Sequence, residues 1–506
     1  MSSLLTRDEY RQLARNVPLP GCAIVGGKSV RALSRKTFET LNPATGEVLA
    51  HIPVCDKADV DLAVEKARKA FDAWSRSHPA ERKKRIKALV RLIRTNAHEL
   101  AVLESLESGK PIHDCQTIDI PEAMNCLTWH AEAADKMYGE TAPAGDNVVA
   151  MVVREPIGVV GCVLPWNFPL LMLACKIGPA LATGNVVIVK PAEQTNMTTL
   201  RVAELALEAG FPAGVFQVVT GPGEITGREI GLHPEIDMIA FTGSTEIGRK
   251  FLEYSAQSNL KRVALECGGK NPCIVLEDAE HLDVVAQHVT QAVFWNMGEN
   301  CSAASRLIVH EKIKDRLIEK LREQLREWPL GDPLDPANRL GAIVSKDQYE
   351  LIMGYIKKGR DAGATIVAGG KARKDARGYF IEPTIFDNVR PEMAIARDEI
   401  FGPVLAVFTV STPEEAVRLA NDTVYGLAAS VFTSNIGRAH RIARDLRVGT
   451  VTLNCYGEGD ISTPFGGYKL SGFNGRDKSL HAHNQYTELK TIWCDISDQS
   501  NNDIAV

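Results

Sequence analysis

Apolar residues in the first quarter of the chain recur at the spacing of amphipathic helices. Two such helices are predicted over 59–76 and 81–106, the first with Val60, Val64 and Ala67 on one face. Short runs of β-branched residues follow, with helix-like segments between them, at 158–164, 186–190, 215–219, 238–241 and 262–265. Strands that alternate with helices predict βαβ units, and therefore a parallel sheet.

A second alternating series begins after the two glycines at 268–269. It contains a strand-like run at 272–276, a helical stretch over 282–297 and a second strand-like run at 306–310, and the alternation continues to about residue 455. This pattern predicts a second α/β domain.

Length and charge limit the kind of protein. A chain of 506 residues exceeds the size at which one hydrophobic core stops growing, so two or three substructures are expected. The 63 acidic and 58 basic residues are interspersed, which gives no electrostatic footprint for nucleic acid or an anionic membrane. The most apolar stretch, at 157–181, contains three prolines and Lys176, so it is not a membrane span. With Asp8 and Glu9 near the N-terminus, no targeting segment is indicated, and we expect a cytoplasmic protein with a small substrate.

The eleven cysteines are scattered, without Cys-x-x-Cys pairs or nearby histidines. This pattern argues against disulfides and against a metal site, and it fits a reducing compartment. Cys301 lies in FWNMGENCSAASR, where the helical pattern breaks at Gly298 and small residues follow the thiol. An accessible nucleophile needs such surroundings, although a free cysteine is more often a small buried hydrophobe.

Two further residues could act with a nucleophile. Glu266 follows a buried-type strand and precedes two glycines, so it would stand at the carboxyl end of a parallel sheet as a general base. Asn167 lies between two prolines in PWNFP and could donate to an oxyanion. The alternatives are a helix-capping or ion-paired glutamate and an ordinary turn asparagine.

Two segments suggest a nucleotide site. FTGSTEIG places Gly243 and Gly248 across a strand-to-helix turn, where backbone N–H groups could hold a pyrophosphate, although this is not the G-x-G-x-x-G fingerprint. In VVIVKPAEQT, Lys190 and Glu193 follow a strand end, where they could bind ribose hydroxyls, and the carboxylate would disfavour a 2′-phosphate. These residues alone indicate a nucleotide-binding α/β enzyme.

Seven segments, in order, resemble the aldehyde dehydrogenase superfamily, and the resemblance runs from about residue 36 to 494. They are PWNFP at 165–169, VKPAEQT at 189–195, FTGSTEIG at 241–248, LECGGKNP at 265–272, GENCSAASR at 298–306, DEIFGPV at 398–404 and PFGGYKLSG at 464–472. The resemblance implies an α/β fold with a Rossmann-like parallel-sheet cofactor domain, a second α/β catalytic domain and a small β oligomerisation arm. The implied bounds are 1–136 and 157–266 with parts of the C-terminal region for NAD(P) binding, 267–450 for catalysis, 137–156 and 484–497 for oligomerisation, and 498–506 for a polar tail.

The resemblance also implies roles. Cys301 would be the nucleophile, Glu266 the base that activates the hydrolytic water, and Asn167 the oxyanion donor. Lys176 and Asp477 match a proton-relay pair, although many members carry glutamate where this chain has Asp477. CoA-acylating members generally lack the glutamate at 266, so hydrolysis is favoured. The cofactor NAD, with NADP as the alternative, would contact Trp166, Lys190, Glu193, Gly223, Gly243, Ser244, Gly248, Glu399 and Phe401.

For the substrate, the C-terminal segment 454–493 resembles the same segment of bacterial enzymes of polyamine breakdown. This resemblance implies a γ-glutamylamino, guanidino or amino butanal as the substrate. The residues expected to border the substrate are Asp119, Glu122, Phe168, Cys175, Trp295, Asp460 and Phe465. The carboxylates would attract a cationic tail, unless they are solvated surface acids. The aromatic residues form only part of a betaine-aldehyde cage, so indole-3-acetaldehyde and other aromatic or aliphatic aldehydes are alternatives.

Segments 150–156 and 485–496 match the family's oligomerisation strands, which implies a homodimer or a dimer of dimers. Arg262, Arg476 and Glu488 match a charge cluster near that interface, or form a local surface pair of little energetic weight. Two rival classes are a cysteine esterase or acyl-transferase and a non-catalytic scaffold. NADH formation from a generic aldehyde separates both from a dehydrogenase.

Overall fold

The computed structural model describes residues 3–373 and 377–497, so the tail predicted at 498–506 lies outside the described residues. Within those ranges, no helix combines the length and apolarity needed to cross a membrane. All eleven cysteines are free thiols.

The α-helices alternate with strands over most of the chain. They are α1 (Arg7–Asn16), α2 (Lys57–Ser75), α3 (Pro79–Thr95), α4 (Ala97–Ser108), α5 (Ile112–Asp114), α6 (Ile120–Ala133), α7 (Pro169–Ala182), α8 (Met197–Glu208), α9 (Arg228–Leu232), α10 (Thr245–Gln257), α11 (Leu282–Phe294), α12 (Lys314–Gln324), α13 (Lys346–Asp361), α14 (Ala394–Arg397), α15 (Pro413–Asn421), α16 (Ile436–Asp445) and α17 (Ser479–Gln485). Two π-helical segments, Cys115–Asp119 and Gly223–Gly227, and three 3₁₀ segments, Trp295–Gly298, Leu325–Glu327 and Lys469–Ser471, adjoin them.

The strands of the described residues form four sheets. They are β1 (Ala23–Val25), β2 (Lys28–Val30), β3 (Thr37–Leu41), β4 (Val48–Pro53), β5 (Glu140–Ala142), β6 (Val148–Pro156), β7 (Val159–Val163), β8 (Val186–Lys190), β9 (Phe216–Val218), β10 (Met238–Thr242), β11 (Arg262–Glu266), β12 (Pro272–Val275), β13 (Arg306–His310), β14 (Thr365–Ala368), β15 (Thr384–Asp387), β16 (Val404–Val410), β17 (Ala428–Phe432), β18 (Thr450–Leu453), β19 (Gly472–Phe473) and β20 (Thr487–Asp495).

The first large sheet has eight strands in the order β19-β11-β10-β7-β8-β9-β1-β2. Its centre, from β11 to β9, is parallel, and β19 and β1 add antiparallel edges. Helices cover both faces, which is why β7 and β8 are buried along their whole length. The predicted parallel sheet is confirmed. Its carboxyl edge carries Lys190, Thr242 and Glu266 at the ends of three strands.

The second sheet has the order β14-β15-β16-β13-β12-β17-β18, parallel except for β14, and confirms the predicted second α/β unit. A separate hydrophobic core fills it: buried apolar side chains up to Cys267 belong mainly to the first core, and those from Cys273 onward to the second. The loops before β13 and β16 carry Cys301 and Glu399 toward the carboxyl edge of the first sheet.

A third sheet, β20-β6-β5, is antiparallel and projects two long strands. β20 pairs with β6 from Thr487 opposite Pro156 to Asp495 opposite Val148. The outer strand exposes the apolar side chains of Leu489, Ile492 and Trp493.

Two sequence predictions of helix length were wrong. The helix expected over 81–106 is divided at Asn96, which leaves the helical region with φ −102° and ψ 22°. The helix expected to run to 297 ends at Phe294, because Asn296, Met297 and Gly298 all adopt left-handed backbone.

Candidate active site

Two cavities meet where the two large sheets face each other. One, of about 310 Å³, is lined by Cys301, Glu266 and Asn167. The other, of about 460 Å³, lies over the carboxyl edge of the first sheet and is lined by Lys190 and Glu193. They share five wall residues, Pro165, Trp166, Thr242, Gly243 and Ser244, so they form one continuous cleft.

The segment before Cys301 is strained and tightly held. Asn296, Met297 and Gly298 have φ of 52°, 55° and 70°, and each such non-glycine residue typically costs 1–3 kcal/mol, a cost that the surrounding structure must offset. A Cβ added at Gly298 would lie 2.3 Å from the Gly402 carbonyl oxygen, so the loop can approach β16 only with glycine here. This anchoring fixes the position of the Cys301 thiol, three residues beyond Gly298.

The Cys301 thiol is partly exposed to the cavity. Its backbone carbonyl accepts a hydrogen bond of 2.8 Å from Asn271 Nδ2. Burial, reinforced by the carboxylates of Glu458, Glu399 and Glu266, raises the pKa of the thiol well above 9.0. The thiol is therefore protonated at neutral pH, and it must lose its proton to become a nucleophile.

Asn167 follows β7 and lines the same cavity as the thiol. Its Nδ2 donates to the Glu299 carbonyl at 3.0 Å, and Asn296 Nδ2 donates to the Asn167 carbonyl at 3.1 Å. These bonds join the loop after β7 to the Cys301 segment. The side-chain amide is thus held beside the thiol, where its remaining N–H can stabilise an oxyanion.

Glu266 is the last residue of β11, and its carboxylate is buried. Neither carboxylate oxygen has a hydrogen-bond partner of normal geometry among the described residues. Gly466 makes room for it, since a Cβ there would lie 2.7 Å from Glu266 Oε1. Burial, and then the negative charge of Asp477, raise the pKa of Glu266 well above 4.5. A carboxyl group with a raised pKa is suited to take a proton from water near neutral pH.

Lys176 and Asp477 form a buried ion pair behind Glu266. Lys176 Nζ lies 2.8 and 3.1 Å from the two Asp477 oxygens, and the two side chains are 2% and 6% exposed. The pKa of Glu266 is lowered by Lys176 and Arg476 and raised more strongly by Asp477. Burial has the largest effect on the pKa of Glu266, and the two charges of the pair adjust it in opposite directions.

The cleft over the first sheet brings together Lys190, Glu193 and Gly223. Lys190 is buried and its ammonium lies 3.7 Å from the Glu193 carboxylate, which also accepts a hydrogen bond from the Gly223 N–H. Burial lowers the pKa of Lys190, and the neighbouring Glu193 opposes this. The ammonium and the carboxylate therefore lie side by side in the wall of this cavity.

Ser244 caps helix α10. Ser244 and Gly243 both line the two cavities. The Ser244 side chain accepts from the Ile247 N–H at 3.3 Å. The free N–H groups and the dipole of this helix start can hold a pyrophosphate. Gly248 lies elsewhere: it is buried within α10, and a Cβ there would lie 3.2 Å from Cys267 Sγ and from Leu265. Gly248 therefore lets α10 pack closely against β11, and the cofactor contact expected at Gly248 stays a prediction.

Glu399 and Phe401 border the junction of the two cavities, with Trp166 opposite. The Gly269 N–H donates to Glu399 Oε1 at 2.8 Å, and burial raises the pKa of Glu399 to about 7. Phe401 has φ 55°, and its ring meets Trp166 edge-on at 5.1 Å. Together these groups make a polar and aromatic cradle that fits the nicotinamide half of a dinucleotide.

The cavity that holds Cys301 has a mainly apolar part, the expected substrate tunnel. Phe168, Cys175, Trp295 and Phe465 line it as expected from the sequence, and Phe168 packs against Trp295 at 5.1 Å. Sequence reasoning missed the further lining residues Leu171, Met172, Gln348, Leu351, Leu427, Glu458 and Lys478. Leu171 and Met172 share a helical face with Cys175 on α7, a spacing that could have identified them.

The three carboxylates expected at the substrate mouth are placed elsewhere. Asp119 ends a π-helical turn that directs it inward, where it is fully buried and binds Lys110 Nζ at 2.6 Å behind Phe168. Glu122 and Asp460 are exposed, and Asp460 accepts the Ser462 N–H at 2.9 Å. None of the three lines the cavity in the described part of the chain, so that expectation is corrected.

Two of the three residues expected near a subunit interface lie together. Arg262 Nη2 lies 3.8 Å from the Glu488 carboxylate and its Nη1 donates to the Thr487 carbonyl at 3.0 Å. Arg476 instead faces inward, near Glu266, and its guanidinium lies 5.8 Å from the Tyr468 ring. Among the described residues, no three histidine, cysteine or acidic side chains gather as metal ligands would.

Comparisons with known proteins agree with this geometry. A profile of the aldehyde dehydrogenase family matches residues 30–492. An aminoacetaldehyde dehydrogenase of Pseudomonas aeruginosa is 56% identical over 98% of this chain and 100% of its own. The crystal structure of a γ-glutamyl-γ-aminobutyraldehyde dehydrogenase from Burkholderia cenocepacia is 50% identical, with a TM-score of 0.95 over 97% of this chain and all of its own. The indole-3-acetaldehyde dehydrogenase AldA of P. syringae, solved with NAD+, is 48% identical, with a TM-score of 0.96 over the same shares.

Proposed function

The chain belongs to the aldehyde dehydrogenase family and is an NAD-dependent oxidoreductase, and we propose that it works through a thioester on Cys301. One observation carries this proposal: Cys301, Glu266 and Asn167 line a single cavity that opens directly onto the nucleotide cleft. A cysteine esterase would need no nucleotide cleft. A non-catalytic scaffold would need neither the cleft nor the three residues around the thiol.

In the first step the Cys301 sulfur attacks the aldehyde carbon. The oxygen of the resulting thiohemiacetal is stabilised by the Asn167 side chain and the Cys301 N–H. Loss of one such donor typically lowers the rate about 10²–10³-fold. The thiol first loses its proton to solvent, and Glu266 acts later, on the water that hydrolyses the thioester.

The cleft fits a nicotinamide dinucleotide, because Lys190 with Glu193, the start of α10, and Glu399 with Trp166 supply groups for ribose, pyrophosphate and nicotinamide in turn. When bound, the dinucleotide accepts the hydride. The Glu193 carboxylate favours NAD over NADP by repelling a 2′-phosphate, while Arg228 and Lys250 on the same cleft wall leave NADP as the weaker alternative.

The thioester is then hydrolysed by water that Glu266 deprotonates. A well-placed base contributes roughly 10²–10⁴-fold. The proton moves on toward Lys176 and Asp477, the buried pair that adjoins Glu266. The carboxylic acid leaves by the substrate tunnel.

The substrate class we favour is an amino or γ-glutamylamino aldehyde of polyamine breakdown. Two of the relatives described above are named for such aldehydes. A second candidate is indole-3-acetaldehyde, because the tunnel is mainly apolar and holds Phe168, Trp295 and Phe465.

The β arm supports assembly into a homodimer or a dimer of dimers. The edge of β20 is open in a single chain and exposes Leu489 and Trp493, and a second subunit would cover such an edge. Arg262 and Glu488 lie at the base of this arm. The free thiols suit the reducing cytoplasm, where we place the enzyme.

The test follows NADH and NADPH formation by wild type and Cys301→Ala with amino, guanidino, γ-glutamylamino, betaine, indole and aliphatic aldehydes. We expect NADH from at least one amino-type aldehyde and none from the variant. Cofactor reduction that survives without the thiol would contradict the covalent mechanism, and a preference for indole-3-acetaldehyde would move the substrate assignment to the second candidate.

A further inference from the structure

A carboxylate and an ammonium group face each other in the otherwise apolar wall of the substrate tunnel. Glu458 and Lys478 both line the cavity that holds Cys301, and their charged ends lie 3.4 Å apart. Their side chains are 24% and 16% exposed. Glu458 Oε1 accepts a hydrogen bond of 2.6 Å from Ser302 Oγ, next along the chain from the nucleophile.

The two charges come from different parts of the chain. Glu458 lies between two glycines in the loop after β18, and Gly459 has φ 74°. Lys478 precedes α17, has φ 65°, and holds its Nζ 5.2 Å from the centre of the Phe465 ring. A pair of charges withdrawn from water commonly stabilises a protein less than apolar side chains of the same volume would. Its presence in the tunnel calls for a ligand.

We propose that Glu458 is the specificity-determining carboxylate of the tunnel and binds the ammonium group of a short ω-aminoaldehyde, while Lys478 limits how strongly cations are favoured. This inference rests on the proposed aldehyde dehydrogenase function. The Glu458 carboxylate accepts a hydrogen bond from Ser302, the residue after the nucleophile, and therefore lies near the carbon that Cys301 attacks. An amine that reaches this carboxylate must be only a few bonds from the aldehyde carbonyl. Aminoacetaldehyde and 3-aminopropanal have this form, and a long γ-glutamyl chain would carry its charges past the pair.

The same contact links substrate charge to the nucleophile. The charged groups that face the thiol are Glu458, Glu399 and Glu266, and Glu458 has the largest electrostatic effect of the three on the thiol pKa. An ammonium group on Glu458 offsets that negative charge, so the thiol loses its proton more readily when a cationic aldehyde is bound. A neutral aldehyde gives no such help.

The experiment compares Glu458→Gln and Lys478→Met with wild type on three aldehydes of similar length: cationic 3-aminopropanal, neutral butanal and anionic succinic semialdehyde. The readout is the ratio of kcat/KM values between substrates, which cancels any common effect of a variant on folding or on the thiol. For Glu458→Gln we expect the cation-to-neutral ratio to fall about tenfold and the anion-to-neutral ratio to rise. For Lys478→Met we expect the cation-to-neutral ratio to rise and the anion-to-neutral ratio to fall.

Asp460→Asn is the matched control, because it removes an exposed carboxylate of the same loop that does not line the tunnel, and it should change both ratios far less than either tunnel variant. Equal factors on all three substrates, or a fall in the cation ratio in both tunnel variants, would overturn the proposal. If instead the wild type forms no NADH from any aldehyde, the proposed function itself fails.

Discussion

Variants of the buried pair Lys176 and Asp477 should lose similar amounts of unfolding free energy but shift the pH dependence of kcat in opposite directions. Replacing Lys176 by Met leaves the Asp477 carboxylate 6% exposed and without its counter-ion. Removing one partner of such a pair typically costs about 3–5 kcal/mol of unfolding free energy. Asp477→Asn leaves the Lys176 ammonium unpaired instead, so it should cost a similar amount.

The two variants should nevertheless shift the activity profile in opposite directions. Glu266 acts as a base only when ionised, so the rate is lost as the pH falls through its raised pKa. Lys176 lowers that pKa and Asp477 raises it, which means that Lys176→Met moves the acid limb of the kcat profile to higher pH. Asp477→Asn moves the acid limb to lower pH.

Urea denaturation and the pH dependence of kcat measure the two effects independently. Parallel shifts of both pH profiles would refute the reasoning, because they would show that the variants act through a general loosening of the site. A loss of less than about 1 kcal/mol in both variants would show that the pair is hydrated rather than buried.

Three further predictions concern single side chains. Glu266→Gln should keep a burst of NADH equal to the number of active sites, and its steady-state turnover should then be about 10²–10⁴-fold slower than that of wild type. Loss of the burst would show that Glu266 acts before hydride transfer. The same variant should be more stable than wild type at alkaline pH and equal to it near pH 4.5. The reason is that a carboxyl group with a folded pKa above its unfolded value of 4.5 loses its stabilising contribution as the pH rises; denaturation curves that differ equally at both pH values would contradict this. Gly298→Ala should cost at least ~2 kcal/mol, because its φ is 70° and the new Cβ meets the Gly402 carbonyl oxygen. Gly354→Ala, in helix α13 with open space around the new Cβ, should be neutral or stabilise by ~0.4–1 kcal/mol, and equal melting shifts in the two glycine variants would be evidence against this account.

The sequence predicted the two large sheets well because their strands are buried on both faces. Strands β8 and β13 fall on 186–190 and 306–310 as expected, since each has a buried apolar centre, Val186–Val189 and Leu307–Val309, that fits few other environments. The resemblance then located the residues whose side chains meet in the cleft.

Features that depend on distant parts of the chain could not be predicted. The left-handed residues before Cys301 reflect the approach of Gly402, about a hundred positions later. Asp119 turns inward because a π-helical segment adds a residue to its turn and because Lys110 lies within reach. Glu458 and Lys478 meet only through the packing of two loops, and nothing in their local sequence marks them as a pair.

The central claim, a thioester on Cys301, can be measured directly by mass spectrometry. Glu266→Gln, mixed with NAD and an accepted aldehyde, should accumulate protein whose mass has increased by that of the aldehyde less two hydrogens. Peptide mapping should place the acyl group on Cys301, and Glu266→Gln combined with Cys301→Ala should show no adduct. NADH formation without any adduct, or an adduct on a different residue, would contradict the account.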